Sequence, residues 1–312
     1  MKPRILVIRG GAIGDFILTL PALRLLREAF PRAHLEILGY RHIVALAEGR
    51  GYADGSRSIE YAPMAGFFVP GSDLAPELIE YFGSFQQVVS YLYDPSGFFE
   101  TNLRRAGVKN FLPAFARIDD SSHAAQQLAR PLESMALYLE SLAATVHPTA
   151  DDRAAARAFA AHAGPLIALH PGSGSPRKNW PVERWIALAR EILRRHPAAR
   201  LLLIGGEADH AALAGLESAL APFAPWVARD LPLPTLAALL ERTTLHLGHD
   251  TGISHLAAAV GARCLLLFGP TDPAIWAPTN PGVTVLAAPA GDLRQLPIEE
   301  VIAAVEAILR PE

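Results

Sequence analysis

The sequence predicts an α/β protein built from two doubly wound, parallel-sheet domains, and three observations carry that prediction. Short apolar runs of strand length alternate with helical patterns along the whole chain, as expected of parallel strands covered by helices. Each half opens on such a run leading into a glycine-bearing loop, "RILVIRGGAIGD" at 4–15 and "PLIALHPGSG" at 165–174. The 312 residues are 51% hydrophobic and 19% charged, enough apolar material for two ordinary cores.

The first strand is the run 4–10, short and β-branched, as buried parallel strands are. From 13 to 30 apolar residues recur at helical spacing (Ile17, Leu20, Leu23, Leu26), with "FP" as the stop. "HLEILGY" is the second strand, and "IVALAEGRG" a short helix ended by glycine. Strand-sized pieces follow at "RSIEYA" and "QQVVSYLY", with helices near 74–81 and 97–105. Residues 124–145 read as wholly helical, "TVHPTADD" as a break, and 153–163 as an alanine-rich helix. The break sets the division between domains of 1–150 and 151–312. The second half then runs strand 166–170, helix 182–196, strand "RLLLIGG", helix 207–220 and a short helix 233–241. It closes with strands "TLHLG", "RCLLLFG" and "VTVLAA" and a helix at 298–309.

A net charge of -3 gives no global field for nucleic acid or an anionic membrane, so any anion site must be local. The single cysteine, Cys264, lies in the run "CLLLF" and reads as a buried hydrophobe without a disulfide partner. No signal-peptide pattern opens the chain and no run approaches the roughly 18 apolar residues of a spanning helix. The expectation is a cytoplasmic protein.

Four segments could carry chemistry. Gly10, Gly11, Gly14 and Asp15 follow the first strand, but their spacing is not G-x-G-x-x-G. The second strand ends "EILGYRH", without the acid that holds a ribose, which argues against a nicotinamide cofactor. Asp15 reads either as a helix-start acid matched to the helix dipole or as a general base in a glycine-lined mouth; spacing leaves both open. In "HPGSGSPRKNWPVERW" the strand end His170 precedes Gly172, Ser173, Gly174, Ser175, Arg177 and Lys178, the equipment of a phosphate cradle without a Walker motif. A polar turn with two solvated cations is its bland equivalent. Trp180 and Trp185 are expected to pack the following helix. Gly205, Gly206 and Glu207 end another strand, where Glu207 serves equally as a sugar or base contact or as a capping acid. In "GHDTGISHLAAAVG", Asp250 or Thr251 can cap the helix, leaving amides for an anion, with His255 one turn inside. His246, His249 and His255 do not form a ligand pattern for a metal, and His249 has no evident role. Thr271 and Asp272 follow the next strand.

With these pieces assembled, the chain resembles glycosyltransferase family 9, the bacterial heptosyltransferase family of lipopolysaccharide core assembly. The matching stretches are "ILVIRGGAIGDFILTLPALRLLREAFPRAHLEIL", "HPGSGSPRKNWPVERW", "LLLIGGEADH" and "HDTGISHLAAAVGARCLLLFGPTDP". The resemblance implies a GT-B fold, with two Rossmann-like domains facing across a cleft. It implies that the N-terminal one takes the acceptor and the C-terminal one the sugar nucleotide; the last helix is a candidate to pack back on the N-terminal domain. It implies an inverting, metal-independent transfer, with ADP-heptose as substrate and no cofactor. The acceptor it implies is a lipid-anchored saccharide at the inner membrane face. Residue by residue, Asp15 matches the general base, with Gly11 and Gly14 in the acceptor-side loop. Ser173, Gly174, Lys178, Glu207, Asp250, Thr251, Gly252 and His255 match positions that hold the donor. The middle of the chain matches weakly; there Arg41, His42, Arg104, Arg105 and Lys109 are candidate contacts to an anionic acceptor, each read singly as solvated surface charge. An epimerase or hydrolase of sugar nucleotides on the same scaffold, or a nucleotide-sugar-binding protein without catalysis, remains the alternative.

Overall fold

The computed structural model describes residues 2–161, 164–206 and 209–310. The chain divides into two compact units, Met1–Leu142 and Ala143–Glu312.

The first unit is a five-stranded parallel sheet in the order β3-β2-β1-β4-β5. Its elements are β1 (Arg4–Arg9), α1 (Ile13–Ala29), β2 (His34–Gly39), α2 (Arg41–Val44), β3 (Gly55–Ser58), α3 (Pro76–Gly83), β4 (Gln87–Ser90), α4 (Phe98–Arg105), β5 (Phe111–Pro113) and α5 (Ala124–Ala129). The central strand β1 buries Ile5 to Ile8. One side of the core gathers Leu6, Ile8, Phe67, Phe82 and Phe99, which removes large apolar areas from water. The strand order reverses between β1 and β4, so the loop after β1 opens at a topological switch point, where open α/β sheets place their ligands.

The second unit is a six-stranded parallel sheet, β11-β10-β9-β6-β7-β8. It runs α6 (Ala150–Phe159), β6 (Leu166–Leu169), α7 (Val182–Arg195), β7 (Arg200–Gly205), α8 (His210–Leu220), β8 (Trp226–Arg229), α9 (Leu233–Leu240), β9 (Leu245–His249), α10 (Gly252–Ala259), β10 (Cys264–Phe268), α11 (Pro273–Trp276), β11 (Val283–Ala287) and α12 (Ile298–Leu309). Trp180 and Trp185 are buried and meet edge to face at 5.4 Å, packing α7 as expected. The last helix, α12, buries Val301 and Val305 in this unit's own core.

Two expectations fail. The short helix expected at 43–51 is only α2, Arg41–Val44, and turns follow it to residue 51. Residues 124–145 are not a single helix: α5 stops at Ala129, a 3-10 turn spans Arg130–Met135, and no regular element follows until α6. Pro131 lacks an amide hydrogen and crowds the preceding turn, and Ala136 takes a left-handed conformation at φ 58°, which ends any helix. The helix expected at 153–163 starts earlier, because Thr149 accepts from the Asp152 amide while Asp152 accepts from the Thr149 amide. Three short elements, β5, β8 and α11, have no expectation behind them.

Candidate functional site

In the first unit the site is built on the loop from β1 into α1. Gly11 has φ +98°, a conformation open to glycine and strained for other residues. A Cβ there would stand 3.1 Å from Asp15 Oδ2, so the turn leaves the carboxylate room. Gly14 lies in the first turn of α1. Asp15 Oδ2 accepts the Ala12 amide at 3.1 Å, a helix-start contact matched to the dipole, and the residue stays half-buried. Behind it stands a residue that pattern reasoning missed. The Arg9 guanidinium donates to the Asp15 carbonyl at 3.0 Å and to Thr19 Oγ1 at 2.9 Å. Burial pulls the Arg9 pKa below its ordinary value, while the charge on Asp15 opposes that pull. A cation at the last position of a buried strand was the available signal.

In the second unit the loops after β6, β9 and β10 meet. Lys178 donates to Asp250 Oδ2 at 2.6 Å, and Thr271 Oγ1 donates to the same oxygen at 2.8 Å. His255 Nε2 lies 3.9 Å from Asp250 Oδ1. Burial opposes the charge on Asp250, but His255, Lys178 and Thr271 together hold its carboxyl down at about 2. Asp250 is therefore an anion that fixes Lys178, and Thr271 joins the cluster by this contact. Ser173 Oγ donates to Asn179 Oδ1 at 2.6 Å, which cross-ties the loop; Gly174 is exposed at its tip. Arg177 does not join Lys178 and stands exposed.

Thr251 caps α10, its Oγ1 accepting the Ser254 amide at 3.4 Å. The amides that open α10, beginning at Gly252, lack intrahelical acceptors and offer an anion a binding face. The same Thr251 Oγ1 lies 3.3 Å from His170 Nδ1, and His170 Nε2 lies 3.0 Å from Asp209 Oδ2. Because a carboxylate only accepts, the Nε2 of His170 carries the hydrogen. Burial would raise the Asp209 pKa, yet the bond and charge of His170 hold it below the usual range. This chain ties the loop after β7 to the cap of α10 through the strand-end His170. Glu207 lies outside the described residues.

His249, for which the sequence showed no role, is a tie within this site. Its Nε2 accepts the Trp180 amide at 2.9 Å and its Nδ1 faces the Gly172 carbonyl at 3.4 Å. Burial drives its pKa down to about 3, so the ring is neutral, with Nδ1 donating. A Cβ at Gly172 would fall 2.0 Å from Asp209 Oδ1, so only glycine lets the loop lie this close.

The basic residues suggested for the acceptor divide. Arg104 pairs with Glu100 at 2.7 Å, and Arg105 donates to the Ser72 carbonyl and to Asn102, so both serve local structure. Arg41, His42 and Lys109 are exposed.

The two clusters are thus Asp15 at a glycine-lined helix start in one unit and Lys178 held by Asp250 beside the start of α10 in the other. Residues 118–302 match the sequence model of glycosyltransferase family 9 (heptosyltransferase). The chain belongs to that family. Lipopolysaccharide heptosyltransferase 1 of Pseudomonas aeruginosa is 36% identical over 111 residues, 35% of this chain and 29% of the relative. The matched stretch thus spans about a third of the curated relatives' own length, 32% for lipopolysaccharide heptosyltransferase 2 of Salmonella typhimurium. Among solved structures, a family 9 glycosyl transferase from Veillonella parvula superposes with TM-score 0.80 at 21% identity, covering 98% of this chain and 97% of that one. The Escherichia coli ADP-heptose lipopolysaccharide heptosyltransferase II gives 0.78 at 18% identity over 99% and 98%. At these identities the likeness shows the fold, and the family 9 chain has the GT-B architecture. Among the described residues no helix is long and apolar enough to cross a membrane.

Proposed function

We propose that the protein is an inverting glycosyltransferase that moves a heptose from ADP-heptose onto a saccharide of the lipopolysaccharide core, anchored in lipid at the inner membrane face, without a metal ion. The carrying observation is the cluster in which Asp250 holds Lys178 beside the capped start of α10. A diphosphate leaving group gathers negative charge as its bond to the sugar breaks, and a fixed cation with free helix-start amides meets that charge. In this reading the acceptor hydroxyl oxygen attacks the anomeric carbon and its proton passes to Asp15. The bond from that carbon to the diphosphate oxygen breaks on the opposite face, and ADP leaves as an anion. Ser173, Gly174, Gly252 and His255 complete the donor site, Glu207 is assigned to the nucleoside, and Gly11 and Gly14 open the approach to Asp15. Lys178 and the amides supply the charge that a metal supplies elsewhere, so EDTA leaves the rate unchanged. The donor and the core acceptor come to this chain from the name of the E. coli heptosyltransferase and from those of the curated relatives.

A thermal-shift series with ADP-heptose, ADP-glucose, UDP-glucose and UDP-N-acetylglucosamine tests the donor, since a bound ligand stabilises by mass action. The expected result is a rise in Tm with the ADP sugars, largest for ADP-heptose and lost in Lys178→Ala. A preference for UDP sugars would overturn the donor assignment. Product formed from the donor without acceptor would favour an epimerase or hydrolase.

A further inference from the structure

We infer that the first unit holds a subsite for an uncharged sugar ring at the end of β4, one strand from the loop that carries Asp15, lined by Tyr93 and Phe115 with two carboxylates. The inference deepens the proposed transfer, since it rests on a saccharide acceptor and names the kind of ring that the first unit holds. Tyr93 is 67% exposed and Phe115 44% exposed, although aromatic rings are normally the first side chains to be buried. The two rings stand 4.9 Å apart at 49° and line a cavity of about 200 Å³ with Leu92, Asp94, Glu100 and Phe111. Exposed rings with a few polar groups in a concave site are the makings of a ligand pocket. The C–H-bearing face of a pyranose packs on an aromatic ring, while its hydroxyls donate to carboxylates.

Both carboxylates have an oxygen to offer. Asp94 Oδ2 accepts the Glu100 amide at 3.0 Å, and Glu100 Oε1 accepts from Arg104. Asp94 Oδ1 and Glu100 Oε2 carry no hydrogen bond among the described residues. Anionic acceptors make strong bonds to hydroxyl donors. The same charges repel an acidic sugar: the cavity is lined by two anions, of which Arg104 balances one. The pocket therefore selects against a ring bearing a carboxylate or phosphate.

Its place follows from the sheet. β4 pairs with β1 in parallel, Ile8 opposite Ser90, and the Tyr91 amide continues that ladder to the Ile8 carbonyl at 2.9 Å. A Cβ on Gly10 would stand 3.1 Å from Leu92 Cδ2. Leu92 thus touches the Asp15 loop and also lines the cavity, which puts the subsite one strand away from the proposed base.

The test needs neither donor nor turnover. Saturation-transfer NMR is recorded on the full chain with the methyl glycoside of L-glycero-D-manno-heptose and with that of 3-deoxy-D-manno-octulosonic acid, and the ADP-heptose thermal shift is measured on the same samples. The expected result is saturation of the neutral heptoside, little of the acidic glycoside, and loss of the heptoside signal in Tyr93→Ala and Phe115→Ala. Glu100→Gln keeps the rings and lowers the discrimination against the acidic sugar. Equal saturation in wild type and both ring variants overturns the subsite, as does a stronger signal from the acidic glycoside. Tyr93-dependent binding to phosphatidylglycerol vesicles without sugar saturation also overturns it and makes the patch a lipid contact. A lost donor shift with intact ring-dependent saturation counts against the proposed transfer and leaves the sugar subsite standing.

Discussion

Held between the Gly172 carbonyl and the Trp180 amide, His249 must stay neutral to serve both, one nitrogen donating and the other accepting. His246 is buried beside it and is likewise driven to about 3. In the unfolded chain these imidazoles take up protons near 6.5. Between those values the unfolded state binds more protons than the folded state, so stability present above pH 6.5 is lost as the pH falls toward 3. Urea midpoints are therefore expected to fall as the pH is lowered from 7.5 to 5.5, and His249→Asn is expected to flatten that slope while lowering the midpoint at pH 7.5. An unchanged slope would show that His249 is not the group held neutral. None of these ties was legible in the sequence, because their partners are far apart along the chain. Lys178 and Asp250 are 72 positions apart, and His170 and Asp209 are 39 apart. Spacing could suggest which residues carry chemistry, but not which of them would hold one another.

At the scale of elements, legibility followed local physics. The helix expected at 298–309 is α12, Ile298–Leu309, because its apolar period is regular and Pro297 precedes it. The cap of α10 was narrowed to Asp250 or Thr251, and the structure divides the work: Thr251 caps while Asp250 holds Lys178. The segment 124–145 misled because alanine and leucine favour helix on every scale, while Pro131 and the left-handed Ala136 end it. β5 and β8 are three and four residues long, too short for periodicity to mark. The cap of α10 makes a prediction at this scale. Thr251→Ala removes both the Ser254 amide's acceptor and the hydroxyl facing His170, and is expected to destabilise by about 1 kcal/mol and to weaken ADP binding. Thr251→Ser is expected to restore both. Denaturation midpoints and ADP titrations check this; a Thr251→Ala protein with normal ADP affinity would separate the cap from the anion site.

For the whole molecule, two sheets each put a loop with its own chemistry at the carboxyl ends of their strands, where open α/β sheets bind ligands. That much was readable from strand–helix alternation and from the glycine loops that open each half. The division of labour proposed here gives the first unit the acceptor's proton and the second the donor's charge, so the two functions should fail separately. Removing Lys178 should cost donor binding, whereas removing the Asp15 carboxylate should cost the chemical step alone. The most direct measurement is the rate of heptose transfer from ADP-heptose to a lipid A acceptor whose 3-deoxy-D-manno-octulosonic acid already carries one heptose, by wild type and Asp15→Asn, with the donor thermal shift recorded for both. The account predicts a kcat lower by about 100-fold or more in Asp15→Asn and an unchanged donor shift. Turnover within a few-fold of wild type would contradict it.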